Sequence, residues 1–98
     1  MTSPGDRDVI VDQVLAGFRD EITALDVTLV ETINARLEAV RSLRRHKEEQ
    51  GIAFLDLNRE AWLAAYLKQA NRGPLSDEAV DELCAFVLDL VKRELADG

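Results

Sequence analysis

A chain of 98 residues, 47% hydrophobic and 32% charged, describes one soluble globular domain and excludes both a disordered chain and a multidomain one. One cysteine and one histidine, Cys84 and His46, leave no internal disulfide, no Cys/His zinc site and no basis for a histidine-driven nucleophile triad. The formal net charge of −7, from 19 acidic and 12 basic residues, argues against nucleic acid as a partner, because affinity for that polyanion grows with the phosphates neutralised.

The first residues, Met1 to Asp8, carry no apolar run of the kind a secretory signal needs, and read as a disordered acidic tail (1–8) ahead of a helical domain (9–98). No uncharged stretch approaches the roughly 18 residues of a membrane span, so neither membrane nor secretion is expected and a reducing cytoplasmic setting is. From about Val9 the apolar residues Val11, Val14, Leu15, Phe18, Ile22, Leu25, Leu29, Ile33, Leu37, Val40 and Leu43 fall at three- and four-residue steps. No proline interrupts them, and Gly51 is the first stop signal. The spacing predicts one helix of about 40 residues, roughly 60 Å long at 1.5 Å per residue. A compact domain of this size is only about 30 Å across, so part of that apolar stripe needs a cover from outside its own chain. A chain this short also buries only about 60–65% of its unfolded surface. An intertwined dimer answers both needs.

Residues 51–55 form a short connection, and Asp56 is placed to cap a second helix that runs to about Asn71, with Gly73 and Pro74 as its stop. Trp62, Leu63, Tyr66 and Leu67 are its apolar residues, with Trp62 and Tyr66 read as packing side chains. Ser76 caps a third helix that carries Asp77 and Glu78 in its first turn and a buried face of Val80, Leu83, Cys84, Val87, Leu88 and Val91. The fold class is all-α: three helices per protomer, one very long and two shorter, in an intertwined helical homodimer. The five glycines, at 5, 17, 51, 73 and 98, form no phosphate-binding loop.

Charge is unevenly spread. Arg36 to Lys47 carries five basic residues and one acid, a local +4 that leaves −11 for the rest. Arg36 and Lys47 fall within the apolar stripe itself, in the series Ile33, Arg36, Val40, Leu43, Lys47. Eleven residues is close to three turns, so both point the same way. Unpaired cations at core-facing positions are destabilising, and they imply a nearby anion unless their long stems carry the charges out to water. Asp56, Arg59 and Glu60 share one side of the second helix, as a ligand-binding set or as a cap with a surface ion pair. Arg19 precedes Arg36 by 17 residues, about 25 Å along one helix, so a small molecule reaches both only if they come from different chains; taken alone, Arg19 is a surface residue. His46 points to another side of the helix from Lys47, and Cys84 is a small core residue.

Together these residues resemble the all-helical, intertwined-dimer class of chorismate mutases. The resemblance rests on Arg19-Asp20-Glu21-Ile22, Leu25-Asp26, Leu29 and Val30, then Arg36 and Lys47, and last Asp56-Leu57-Asn58-Arg59-Glu60. The register fits without a gap from Arg19 to Glu60. The short motifs are weak singly, but their order and separations are specific. The resemblance covers the first two helices and, with a small adjustment near Gly73, the apolar pattern of the third.

It implies a unimolecular [3,3] rearrangement of chorismate to prephenate, in aromatic amino acid biosynthesis, with no cofactor and no metal. Arg36, and Arg19 of the partner chain, would grip the substrate's two carboxylates. Lys47 would donate to the ether oxygen, Arg59 would help hold a carboxylate, and Asp56 and Glu60 would meet the ring hydroxyl. Arg36, Lys47 and Glu60 are then the expected catalytic set. The departure lies on the third helix, where the family's small polar residue and, four residues on, its ether-binding Gln align with Val91 and Leu95; a register shift of one would offer Lys92 or Glu94 instead. Some relatives that lack such a donor gain activity from a partner enzyme of the shikimate pathway, which makes such an enzyme a candidate partner here. Isochorismate pyruvate lyase and aminodeoxychorismate mutase share the fold and stay open as alternatives. A non-catalytic helical dimerisation module is the alternative from a different class.

Overall fold

The structure, a computed structural model, describes residues 4–97. They form α1 (Pro4–Glu49), α2 (Leu57–Ala70) and α3 (Asp77–Asp97), with no strand among the described residues. The chain is therefore all-helical, with one long helix and two shorter ones. None of the helices is long and apolar enough to cross a membrane. Two units divide the chain, Met1–Ala35 and Arg36–Gly98.

In the first unit the chain is α1 alone. The helix is described from Pro4 onward. It thus takes in 4–8, which the sequence assigns to a tail; residues 1–3 lie outside the described set. From Asp8 to Thr32 every residue is exposed, including the stripe Val11, Val14, Leu15, Phe18, Ile22, Leu25 and Leu29. Phe18 keeps 60% and Leu25 63% of their surface in water. Thr28 and Thr32 return their hydroxyls to the carbonyls four residues back, at 3.1 and 2.8 Å, which keeps those polar groups on the helix itself.

The second unit holds the end of α1 together with α2 and α3. Gly51, at φ +68°, terminates α1. Its N–H donates to Glu48 O at 3.2 Å, and the next N–H, of Ile52, reaches back to Lys47 O at 2.8 Å. This double closure satisfies carbonyls that the helix would otherwise leave open, and it needs a left-handed residue at the turn. Asp56 caps α2 by accepting from the Arg59 N–H at 3.0 Å. The helix stops at Asn71, earlier than Gly73. The Asn71 amide donates to Leu75 O at 2.7 Å and its side-chain oxygen accepts from the Gly73 N–H at 3.0 Å, building a local turn. Ser76 then caps α3 by accepting from the Ala79 N–H at 3.1 Å.

Among the described residues the buried ones are Val80, Cys84, Val91 and Leu95, all on α3 at intervals of four, seven and four. That spacing puts them on one face of α3, and α3 packs against α2. Lys68 on α2 pairs with Asp81 on α3 at 3.1 Å, and Arg44 near the end of α1 donates to Leu95 O at 2.9 Å, tying down the last turns of α3. Cys84 is a core residue, as its pattern suggests. Leu83, expected on the buried face, is 47% exposed. Trp62 and Tyr66 are half-exposed rather than packed inside; they stack on each other with ring centroids 4.9 Å apart.

The caps yield a stability prediction. Gly51→Ala forces an L side chain into the left-handed region and is expected to cost about 1–2 kcal/mol. Ser76→Ala removes one cap bond and is expected to cost about 1 kcal/mol. Urea denaturation midpoints at fixed protein concentration check both.

Candidate functional site

A cavity of about 360 Å³ opens in the second unit, between the end of α1, the 50–56 connection, α2 and α3. That is within the range of about 300–1,000 Å³ usual for small-molecule sites. Val40, Leu43, Leu63, Leu88 and Val91 supply apolar walls. Six charged residues line the same space: Arg36, Lys47, Asp56, Arg59, Glu60 and Lys92.

Each is placed by its element. Arg36 and Lys47 are three turns apart on α1 and both half-buried. Arg36 Nη1 is buried and has no hydrogen-bond partner among the described residues. Lys47 Nζ donates to Phe54 O at 3.2 Å, so the turn that Gly51 creates folds back onto the ammonium. A lysine has three N–H donors, and this bond uses one. Asp56 reaches the cavity from the N-cap of α2. Arg59, one turn in, lies with its guanidinium carbon 4.2 Å from the Trp62 ring centroid, and Trp62 is in turn stacked on Tyr66. That aromatic ladder restrains a long side chain that would otherwise sample many rotamers. Glu60 Oε1 sits 2.7 Å from Lys92 Nζ, an ion pair between α2 and α3 with the Glu60 side chain only 21% exposed.

Four cations and two carboxylates give the lining a net charge of +2. Both carboxylates are engaged, Asp56 by the cap and Glu60 by Lys92. Arg36 is the donor left open. In a partly desolvated cavity an anion is worth more to such a group than it is in water. The arrangement suits a small molecule with two negative charges and an apolar body. No serine, cysteine or histidine is among the lining residues, and no cluster of metal-ligating side chains occurs among the described residues.

Of the candidate residues, Arg36, Lys47, Asp56, Arg59 and Glu60 thus line one cavity. Arg19 is exposed on α1 in the first unit and is not among the lining residues. On α3, Val91 is an apolar wall and Leu95 is core, while Lys92 brings the polar group. The carbonyl of Phe54 is the part that sequence reasoning missed. Backbone acceptors leave no trace in residue type, so only its place just after Gly51 hinted at it.

Comparison with known proteins fits this geometry. The family described as chorismate mutase type II matches residues 18–94, which is 77 of the 98. A curated relative, the bifunctional chorismate mutase/prephenate dehydratase of Pseudomonas aeruginosa, is 34% identical over 74 residues. The match takes in 70% of this chain and 20% of that protein, so the chain spans about one fifth of its length. Among solved structures, a chorismate mutase from Thermus thermophilus superposes with a TM-score of 0.76 at 25% identity, covering 79% of this chain and 96% of that one.

The open donor on Arg36 makes a paired prediction. An unsatisfied buried polar group costs about 1–3 kcal/mol, so Arg36→Met is expected to raise the stability of the ligand-free protein by about 1 kcal/mol or more. The same variant is expected to weaken binding of a small dicarboxylate at least about tenfold, the effect of losing a charge-assisted bond. Urea denaturation and calorimetric titration read the two effects separately.

Proposed function

The chain belongs to the chorismate mutase type II family, and from that premise we propose that it rearranges chorismate to prephenate. The observation that carries the reading is the unpartnered Arg36 Nη1 in a cavity that Lys47 also lines, with a lining of +2 against a substrate that is −2. The reaction is intramolecular: the ether C–O bond breaks as a C–C bond forms, and no proton or electron passes to the protein. The protein's task is to hold the dianion in its folded, reactive shape and to stabilise negative charge growing on the ether oxygen. Arg36 takes one carboxylate, because a guanidinium fork meets it in two bonds. Arg59, steadied by Trp62, helps hold a carboxylate. Lys47 keeps two donors beyond its bond to Phe54 O, and one of them serves the ether oxygen. Asp56 and Glu60 accept from the ring hydroxyl.

We place Arg19 in the site of a second copy, with the two chains intertwined. The support is the apolar stripe from Val11 to Leu29, which stands in water in the single chain. An apolar surface of that extent marks an interaction face. A cytoplasmic setting goes with this reading, since Cys84 is a free thiol in the core. An activating shikimate-pathway enzyme fits the same reading, since Val91 and Leu95 stand where the family has its polar donors and Lys92 is engaged by Glu60.

Acids at the hydroxyl end favour chorismate over isochorismate as substrate. Loss of chorismate absorbance, run beside an assay of isochorismate conversion to salicylate, tests the choice; turnover of isochorismate alone would reject it. Lys47→Ala is expected to lower kcat by about 10²–10³-fold with little change in KM, the usual loss for one donor to a developing oxyanion. Co-expressed Arg19→Ala and Arg36→Ala chains are expected to recover about a quarter of wild-type activity. Random pairing makes about half the dimers hybrids, each with one intact site of two. No recovery on co-expression would remove Arg19 from the site.

A further inference from the structure

Glu60 and Lys92 meet inside the cavity from different helices, Oε1 to Nζ at 2.7 Å. Both line the space that Arg36 and Lys47 enter. A carboxylate held this close by an ammonium acts on its surroundings as a dipole more than as an anion. It still has acceptor capacity, since a carboxylate offers about four lone-pair sites and Lys92 occupies one. Asp56 supplies the neighbouring carboxylate, already accepting from the Arg59 N–H at the cap.

We infer that Lys92 is a specificity-determining residue, which neutralises Glu60 so that this end of the cavity accepts a neutral hydroxyl and rejects an ammonium. The inference rests on the chorismate reading above and sharpens it. Without Lys92, Asp56 and Glu60 would present two carboxylates to the ring substituent, and a pair of like charges attracts a cation strongly. With Lys92 in place, a ring ammonium would bond to Glu60 only at short range from a second ammonium. Discrimination then comes from repulsion of the wrong substrate as much as from attraction of the right one. Lys92 acts through Glu60, so it is a positioning residue. A role confined to stability would leave the ratio of the two ligands unmoved.

The test uses the full chain as wild type, Lys92→Met and Lys92→Arg. It measures KM and kcat for chorismate and the inhibition constant of chorismate's ring-amino analogue, at a pH where the amine is protonated. The expected result is that Lys92→Met tightens the analogue relative to chorismate about tenfold or more, the scale of one charge interaction in a partly buried site, while Lys92→Arg keeps the wild-type ratio. Glu60→Gln reads the same field with opposite sign and is expected to weaken the analogue further, because Lys92 is then uncompensated; it decides the matter if Lys92→Met fails to fold. An unchanged ratio in Lys92→Met, a Lys92→Arg ratio shifted as far as that of Met, or unchanged analogue binding in Glu60→Gln overturns the role of Lys92. If wild type itself leaves chorismate unconverted, the parent reading fails and takes this one with it, a result visible before any variant is made.

Discussion

Arg36 has to occupy an apolar stripe because its place on α1 is set by the same three- and four-residue rhythm as Ile33 and Val40. The helix gives it no choice of side, and Nη1 ends buried with no protein acceptor. For a small domain, whose total stability is of the order of 5–15 kcal/mol, one such group is a real expense. The rest of the site follows from keeping that nitrogen open. Lys47 is given a backbone carbonyl and not a carboxylate as its neighbour, and the two acids of the cavity are occupied elsewhere, by a helix cap and by Lys92. The charge on Arg36 is therefore not quenched by a carboxylate of its own cavity.

Several residues serve the fold and the cavity at once. The Lys47 carbonyl accepts the bond that closes α1, while its ammonium holds the connection that follows. Asp56 starts α2 and lines the cavity; Lys92 joins α3 to α2 and balances Glu60. Such sharing makes the site rigid without a large core. Only four hydrophobic residues are buried among those described, all on α3, so local hydrogen bonds and ion pairs carry much of the positioning in the second unit. Arg36 stands apart from these, because its open Nη1 lowers stability while it is free to supply binding.

The first unit poses the opposite problem. Its stripe from Val11 to Leu29 is as regular as any core-facing helix surface, yet it is exposed along its length in one chain. Apolar area of that kind marks an interaction face, and the second α1 proposed above would offer the same periodicity in return.

The sequence alone determined what depends on local spacing. The three helices, the stop at Gly51, the caps at Asp56 and Ser76, and the placing of Arg36 and Lys47 on one side of α1 all follow from periodicity and from backbone groups seeking partners within a few residues. Cys84 lies in the core for the same reason. The end of α2 near Asn71 was legible too, but the turn by which Asn71 bonds Leu75 O and the Gly73 N–H was not, since composition does not reveal which backbone groups a side chain will take. What only the tertiary structure decided involves partners distant in the chain. On α3 the family resemblance pointed to Val91 and Leu95, or to Lys92 or Glu94 one residue over; in the fold Leu95 is buried with its carbonyl held by Arg44, and Lys92 pairs with Glu60 of α2. Trp62 and Tyr66 read as core because aromatic residues at helical spacing usually are, and instead they stack outside under Arg59. Periodicity fixes which residues share a face, but which face meets which is settled by packing between segments, and that is where the charges of this cavity were matched.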